Sequence, residues 1–190
     1  MKKNFIRLFA TLLLGGSVAV YNYTGADIIL EDGTTIKTKD LPTHLIKEYD
    51  KRPLNDTDSL TIYIHHTAVT SKATVESIAN YHVRHNGWAG IGYHSAIKPN
   101  GDILLLNSLH TISYHTRGQN TKGISIVLWG NYNKDKVSDK MLESVKLITE
   151  SLCNILPIKA IKAHRDAPNA STSCCGDNAY KTLKEQNIFF

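Results

Sequence analysis

The chain has 190 residues, 42% hydrophobic and 21% charged, enough for one domain with a sizeable core and unlike a disordered or fibrous protein. Its net charge of +5 and pI near 9.0 suit an anionic polymer, but no dense Lys/Arg run or aromatic-interleaved basic stretch points to nucleic acid, so no nucleic-acid partner is expected. Cys153, Cys174 and Cys175 are too few and too clustered for a disulfide framework.

The first seven residues are short and basic, and an uncharged stretch with an apolar centre at Leu8–Leu14 runs on to Ala26. This is the pattern of a secretory signal peptide, with small residues at cleavage-relevant spacing in Ser17-Val18-Ala19 and Thr24-Gly25-Ala26. An uncleaved signal anchor is the alternative, although Gly15, Gly16, Asn22 and Gly25 dilute the apolar run. Either way the protein is expected to be exported, to the periplasm or outside the cell. Any membrane contact would be through this segment alone. The expected organisation is a signal segment at 1–26, an N-terminal extension at 27–59 and the functional domain at 60–190.

Ile28-Ile29-Leu30 and Thr35-Ile36-Lys37 flank the turn signal Glu31-Asp32-Gly33 and predict a small hairpin. Residues 41–60 are polar and hold Pro42 and Pro53, which reads as a segment wrapping the core. Leu60-Thr61-Ile62-Tyr63-Ile64 is β-branched and aromatic, the composition of a buried strand, and it ends in His65-His66. Successive strand side chains face opposite sides, so only one of the two imidazoles can face a given site. Residues 71–85 predict a helix capped by Thr74, with Val75, Ile78, Ala79, His82 and Val83 on one stripe and Gly87 as its stop. His82 and His85 share an i, i+3 spacing that metals can use, but an ordinary helix end explains them better. Residues 92–98 and 103–106 predict a hairpin across Pro99-Asn100-Gly101-Asp102. Gly123–Gly130 is a continuous apolar run fit for a central strand. Residues 138–156 predict a long amphipathic helix with Met141, Val145, Ile148, Leu152 and Ile155 inward. Residues 158–164 predict a last strand and 179–186 a final helix. The alternation predicts a single α/β domain with a central mixed β-sheet flanked by helices.

The second chemically marked stretch is His164-Arg165-Asp166, followed by Ser173-Cys174-Cys175-Gly176-Asp177. A histidine again closes a strand, and it precedes a loop that ends in thiols. A thiol near a histidine in an exported protein can be buried, disulfide-bonded, nucleophilic or a metal ligand. Three protein ligands with an open fourth position is the catalytic zinc arrangement. A Cys/His nucleophile pair is the chemical rival. It leaves two adjacent thiols unexplained. Asp166 is expected to tie the loop down by accepting backbone N–H bonds.

Taken in order, Tyr63-Ile64-His65-His66-Thr67-Ala68, Gly87-Trp88 with Ile91-Gly92-Tyr93-His94, Lys98-Pro99-Asn100-Gly101, His115-Thr116-Arg117-Gly118-Gln119-Asn120, and His164-Arg165-Asp166 before Cys174-Cys175-Gly176-Asp177 form a series. That series resembles the type 2 N-acetylmuramoyl-L-alanine amidases, a group that includes phage lytic amidases (endolysins) and peptidoglycan recognition proteins. The resemblance covers about residues 60–180. It implies an amidase/peptidoglycan-recognition fold, one Zn²⁺ per chain on His65, His164 and Cys174, and Tyr93 as a catalytic residue beside the metal. It implies bacterial peptidoglycan as partner and hydrolysis of the amide between N-acetylmuramic acid and L-alanine, hence cell-wall degradation. Thr172 stands where many relatives have a lysine, and it is taken as a second catalytic residue that orients water or substrate. Val127 stands where some relatives carry a glutamate. His115, Arg117, Asn120 and Trp88 are the expected substrate-facing residues, with Lys122 beside them. For Asn120 a brace of its own turn is also expected, and for Trp88 packing of the helix–strand corner. A non-catalytic wall-binding module on the same fold remains the functional rival.

Overall fold

The computed structural model describes residues 20–23, 28–29, 35–36, 41–44, 46–54 and 59–190. Strand β1 is Val20–Asn22, and β2 (Ile28–Ile29) pairs antiparallel with β3 (Thr35–Ile36), the small hairpin the sequence predicts. The turn between β2 and β3, and residues 1–19, lie outside the described residues. β1 falls inside the stretch read as an export signal, yet it runs parallel to a sheet strand, with Val20 opposite Ile103. A break after Ala19 would leave β1 in place, and one after Ala26 would remove it.

β4 (Leu60–His66) is buried along its whole length. Its β-branched side chains fill both faces of the sheet, as expected for a strand covered on two sides. α1 (Val75–Asn80) starts at Thr74, whose hydroxyl accepts the Ser77 N–H at 3.1 Å. The predicted helix does continue to His85, but as a wider π turn over Tyr81–His85. β5 (Ser95–Ile97) and β6 (Ile103–Leu105) form the predicted hairpin, and Gly101 at its turn has φ +92°, a conformation that favours glycine. β7 is Gly123–Leu128, fully buried. α2 (Asp139–Ile155) is capped by Ser138, which accepts the Met141 N–H at 3.1 Å. β8 is Ile158–Ala163, and α3 is Asp177–Glu185.

The main sheet has the order β1-β6-β5-β7-β4-β8. β5, β7, β4 and β8 are parallel neighbours, and β6 is antiparallel to β5, which makes the sheet mixed. One face carries Ile62, Ile64, Ile124, Ile126 and Leu128 against Met141, Val145 and Ile148 of α2 and Leu183 of α3. Each such fully buried aliphatic side chain contributes about 1.5–3 kcal/mol of transfer free energy. The other face packs Ala96, Val127 and Trp129 against Val75 and Ala79 of α1. Residues 46–54 wrap the sheet as expected. Tyr49 donates its hydroxyl to Gly90 O at 2.7 Å, and Lys51 bridges to Thr111.

Candidate metal centre

Register brings the two histidines together. β4 and β8 are parallel, with Ile64 opposite Ala163. The next residue of each chain, His65 and His164, therefore leaves the same sheet edge side by side, and their ring centroids are 4.5 Å apart. In parallel sheets such carboxyl-end crevices are where ligands bind. Cys174 arrives on the loop between β8 and α3. Arg165 holds that loop: its backbone N–H donates to Cys174 O at 2.8 Å, and its guanidinium donates to Ser173 O and to Asp177 Oδ1 (2.9 Å). This corrects the role expected of Asp166, whose carboxylate accepts the Tyr180 hydroxyl instead. The fork of a guanidinium can span several carbonyls, which one carboxylate cannot do.

The ligand atoms of His65, His164 and Cys174 all lie within 4.8 Å of one another, and His65 Nδ1 is 3.8 Å from Cys174 Sγ. Tetrahedral zinc with bonds of about 2.0–2.3 Å needs ligand edges of roughly 3.3–3.7 Å. The trio needs a contraction of about 1.5 Å at most, and two imidazoles with one thiol are donors that zinc accepts. Among the described residues this is the cluster of His, Cys, Asp and Glu able to hold a metal. Burial, with the neighbouring His115 and His164, holds His65 well below the usual imidazole range, and burial also lowers His164. Both rings are thus neutral, as ligands must be. Burial pushes the Cys174 thiol up to about 11, opposed by the His66 N–H, which donates to Sγ at 3.4 Å, and by Arg165. All three cysteines are free.

Tyr93 lies beside the trio, its ring centroid 5.6 Å from that of His65. Burial, then the nearby Cys174, raises its pKa, so its hydroxyl keeps its proton. Thr172 is exposed, and its oxygen accepts the Cys174 N–H at 3.1 Å. Val127 is in register with His65, on the same face. His66 faces the opposite side, where its Nδ1 accepts the Tyr132 N–H at 3.1 Å.

His115, expected to meet substrate, is buried instead, with Nδ1 2.9 Å from Thr116 Oγ1 and Nε2 3.3 Å from Gly123 O. Both ring nitrogens are used inside the protein. Asn120 also turns inward: its Oδ1 accepts the N–H groups of His115 (3.1 Å) and Thr116 (2.8 Å), the brace the sequence allowed. Trp88 is half-buried, packed on His82 at 4.7 Å and edge-on to Tyr114. His82 is a packing residue whose Nδ1 accepts the Gly92 N–H at 3.1 Å. Arg117 and Lys122 are exposed.

Two residues escaped the sequence reading. Thr116 Oγ1 lies 3.3 Å from His65 Nε2. Arg52 is buried and donates to the carbonyls of Leu109, Asn120, Thr121 and Gly123 at 2.9–3.0 Å. Thr116 stands inside a quoted motif and could have been picked out as the histidine's neighbour. Arg52 sits in a polar wrapping segment with no local signal.

Fold and site together define an α/β domain with a His/His/Cys metal-type cluster at the carboxyl ends of adjacent parallel strands. The family profile described as N-acetylmuramoyl-L-alanine amidase matches residues 55–177. The chain belongs to that family. It is 28% identical to the pig N-acetylmuramoyl-L-alanine amidase over 138 residues, which are 65% of this chain, but it spans only 22% of the length of that relative. It is also 28% identical to peptidoglycan-recognition protein SC2 of Drosophila simulans, over 80% of this chain and 86% of that one. A solved endolysin amidase from Clostridium intestinale superposes with a TM-score of 0.61 at 26% identity, covering 78% of this chain and 95% of that one.

Proposed function

We propose that the chain is a zinc-dependent peptidoglycan amidase, hydrolysing the amide between N-acetylmuramic acid and the L-alanine of the stem peptide. The observation that carries the reading is the trio His65, His164 and Cys174, with ligand atoms within 4.8 Å, beside a protonated Tyr93. The relatives named as amidases support the reaction class.

His65, His164 and Cys174 would hold the zinc ion, which when bound supplies a Lewis acid for the amide carbonyl and lowers the pKa of water. The protein's own groups do the rest. Neutral imidazoles offer lone pairs, because burial disfavours their charged forms. The His66 N–H and Arg165 stabilise negative charge on Cys174. Tyr93 donates its hydroxyl to the oxygen that becomes negative as the amide is attacked, a role worth about 10²–10³ in rate. Thr172 braces the Cys174 turn through its oxygen and keeps a hydroxyl proton to orient water or substrate. Trp88 walls the groove, and the exposed Arg117 and Lys122 meet the carboxylates of the stem peptide.

A nucleophilic Cys174 is disfavoured, because activated thiols have lowered pKa values and this one is raised to about 11. A purely wall-binding role would need neither the ligand trio nor Tyr93. We further propose that residues 1–26 direct export, so that the enzyme meets peptidoglycan outside the cytoplasm. The test is digestion of purified peptidoglycan, followed by end-group analysis. New N-terminal L-alanine on released stem peptides is expected. Release of any other end group, or none, refutes the reading.

A further inference from the structure

We infer that Thr116 is a positioning residue for the metal ligand His65, acting at the end of a one-directional hydrogen-bond relay that starts at the Gly123 carbonyl and runs through His115. The inference rests on the zinc reading above. The polarity of the relay follows from proton counting. A carbonyl has no proton, so the 3.3 Å contact of His115 Nε2 with Gly123 O requires the proton on Nε2. In a neutral imidazole Nδ1 is then a bare acceptor. The 2.9 Å contact between His115 Nδ1 and Thr116 Oγ1 must therefore use the threonine proton. Thr116 oxygen is left with lone pairs only, and it accepts from His65 Nε2 at 3.3 Å. His65 then carries its proton on Nε2, and its bare Nδ1 is the nitrogen 3.8 Å from Cys174 Sγ. A ligating histidine is fixed in tautomer and orientation by the partner of its other nitrogen. Here that partner is a hydroxyl whose own direction is set two groups away.

The surroundings hold the relay in place. Asn120 Oδ1 accepts the backbone N–H of both His115 and Thr116. Arg52 Nη1 donates to Gly123 O at 2.9 Å, which fixes the starting carbonyl. The ring of His115 needs a glycine at position 123: a Cβ there would lie 2.7 Å from His115 Cε1 and 2.6 Å from Gln119 O.

Two measurements on the full-length chain test this. Long-range ¹H–¹⁵N correlation spectra of the metal-free protein at neutral pH read the imidazole tautomers. The relay requires Nε2–H on both His65 and His115, and an Nδ1–H form of either ring overturns it. Zinc affinity is then measured by competition with a chromophoric chelator. Thr116→Val keeps the shape and removes the hydroxyl; it should bind zinc about 10–100-fold more weakly, and the metal-free protein should melt lower, because the buried His115 Nδ1 and His65 Nε2 lose their partner. Thr116→Ser should restore most of the affinity. Wild-type affinity in Thr116→Val, or an equal loss in Thr116→Ser, overturns the proposal. Should Thr116→Val fail to fold, the tautomers of the wild-type chain still decide. If the wild-type chain itself binds no zinc, the proposed function fails, and the spectra judge the relay separately.

Discussion

Replacing Arg52 tests how a residue outside the family-matched segment supports the site. Its guanidinium donates to four carbonyls, and the bonds to Leu109 O and Gly123 O are fully buried. Those to Asn120 O and Thr121 O are partly open, so water can replace the guanidinium there. Arg52→Met keeps a stem of similar size and leaves the buried Leu109 carbonyl without its donor, while Gly123 O keeps the bond from His115 Nε2. The orphaned carbonyl costs about 1–3 kcal/mol. Relief of the desolvation of a buried cation offsets part of this, so the expected loss is about 1–2 kcal/mol. Urea unfolding of the full-length chain should show a lower midpoint with an unchanged slope. Arg52→Lys should recover only part of the loss, because a point charge cannot span the four acceptors. A loss below about 0.5 kcal/mol in Arg52→Met would refute the reasoning, since it falls under the cost of even one orphaned buried carbonyl.

Three further outcomes are expected. Tyr93→Phe should lower kcat by about 10²–10³-fold with zinc content and KM little changed, checked by steady-state kinetics and elemental analysis. Burial lowers His82 from 6.5 to about 4; the unfolded chain therefore binds the proton first, and stability should fall as pH drops from 6.5 toward 4. His82→Gln, which keeps an acceptor for the Gly92 N–H, should flatten part of that slope in thermal melts across this range. Gly123→Ala should lower both stability and zinc affinity, because its Cβ collides with the His115 ring and with Gln119 O, read by melting and chelator competition.

The strands were legible because β-branched and aromatic runs such as Leu60–Ile64 have one good use, and the helices because their apolar stripes repeat at helical spacing, with Thr74 as a cap at the start of the first; the cap supplied by Ser138 came from the structure. The π turn at Tyr81–His85 was not, since five residues are too few to show its wider period in the apolar pattern. The metal cluster was legible only in part. Alternation said that one of His65 and His66 could face a site, but the choice of His65, and its pairing with His164 and Cys174, came through resemblance. What brings them together is the parallel register of β4 and β8, a long-range fact with no local trace. The burial of His115 was missed for a related reason: a histidine in a polar loop reads as solvated until its carbonyl and hydroxyl partners are known. Arg52 shows the limit most plainly, because a lone arginine in a polar segment looks like any solvated cation.

The central claim is that His65, His164 and Cys174 hold a zinc ion on which amide cleavage depends. The most direct measurement follows release of L-alanine-terminated peptide from a defined N-acetylmuramoyl-peptide by the full-length chain as isolated, after chelation, and after zinc is returned, with Cys174→Ala alongside. Activity should be abolished by chelation and restored by about one zinc per chain, and Cys174→Ala should be inactive and no longer retain the metal. Cleavage that survives chelation, or a Cys174→Ala variant that still cleaves with bound zinc, would contradict the central claim.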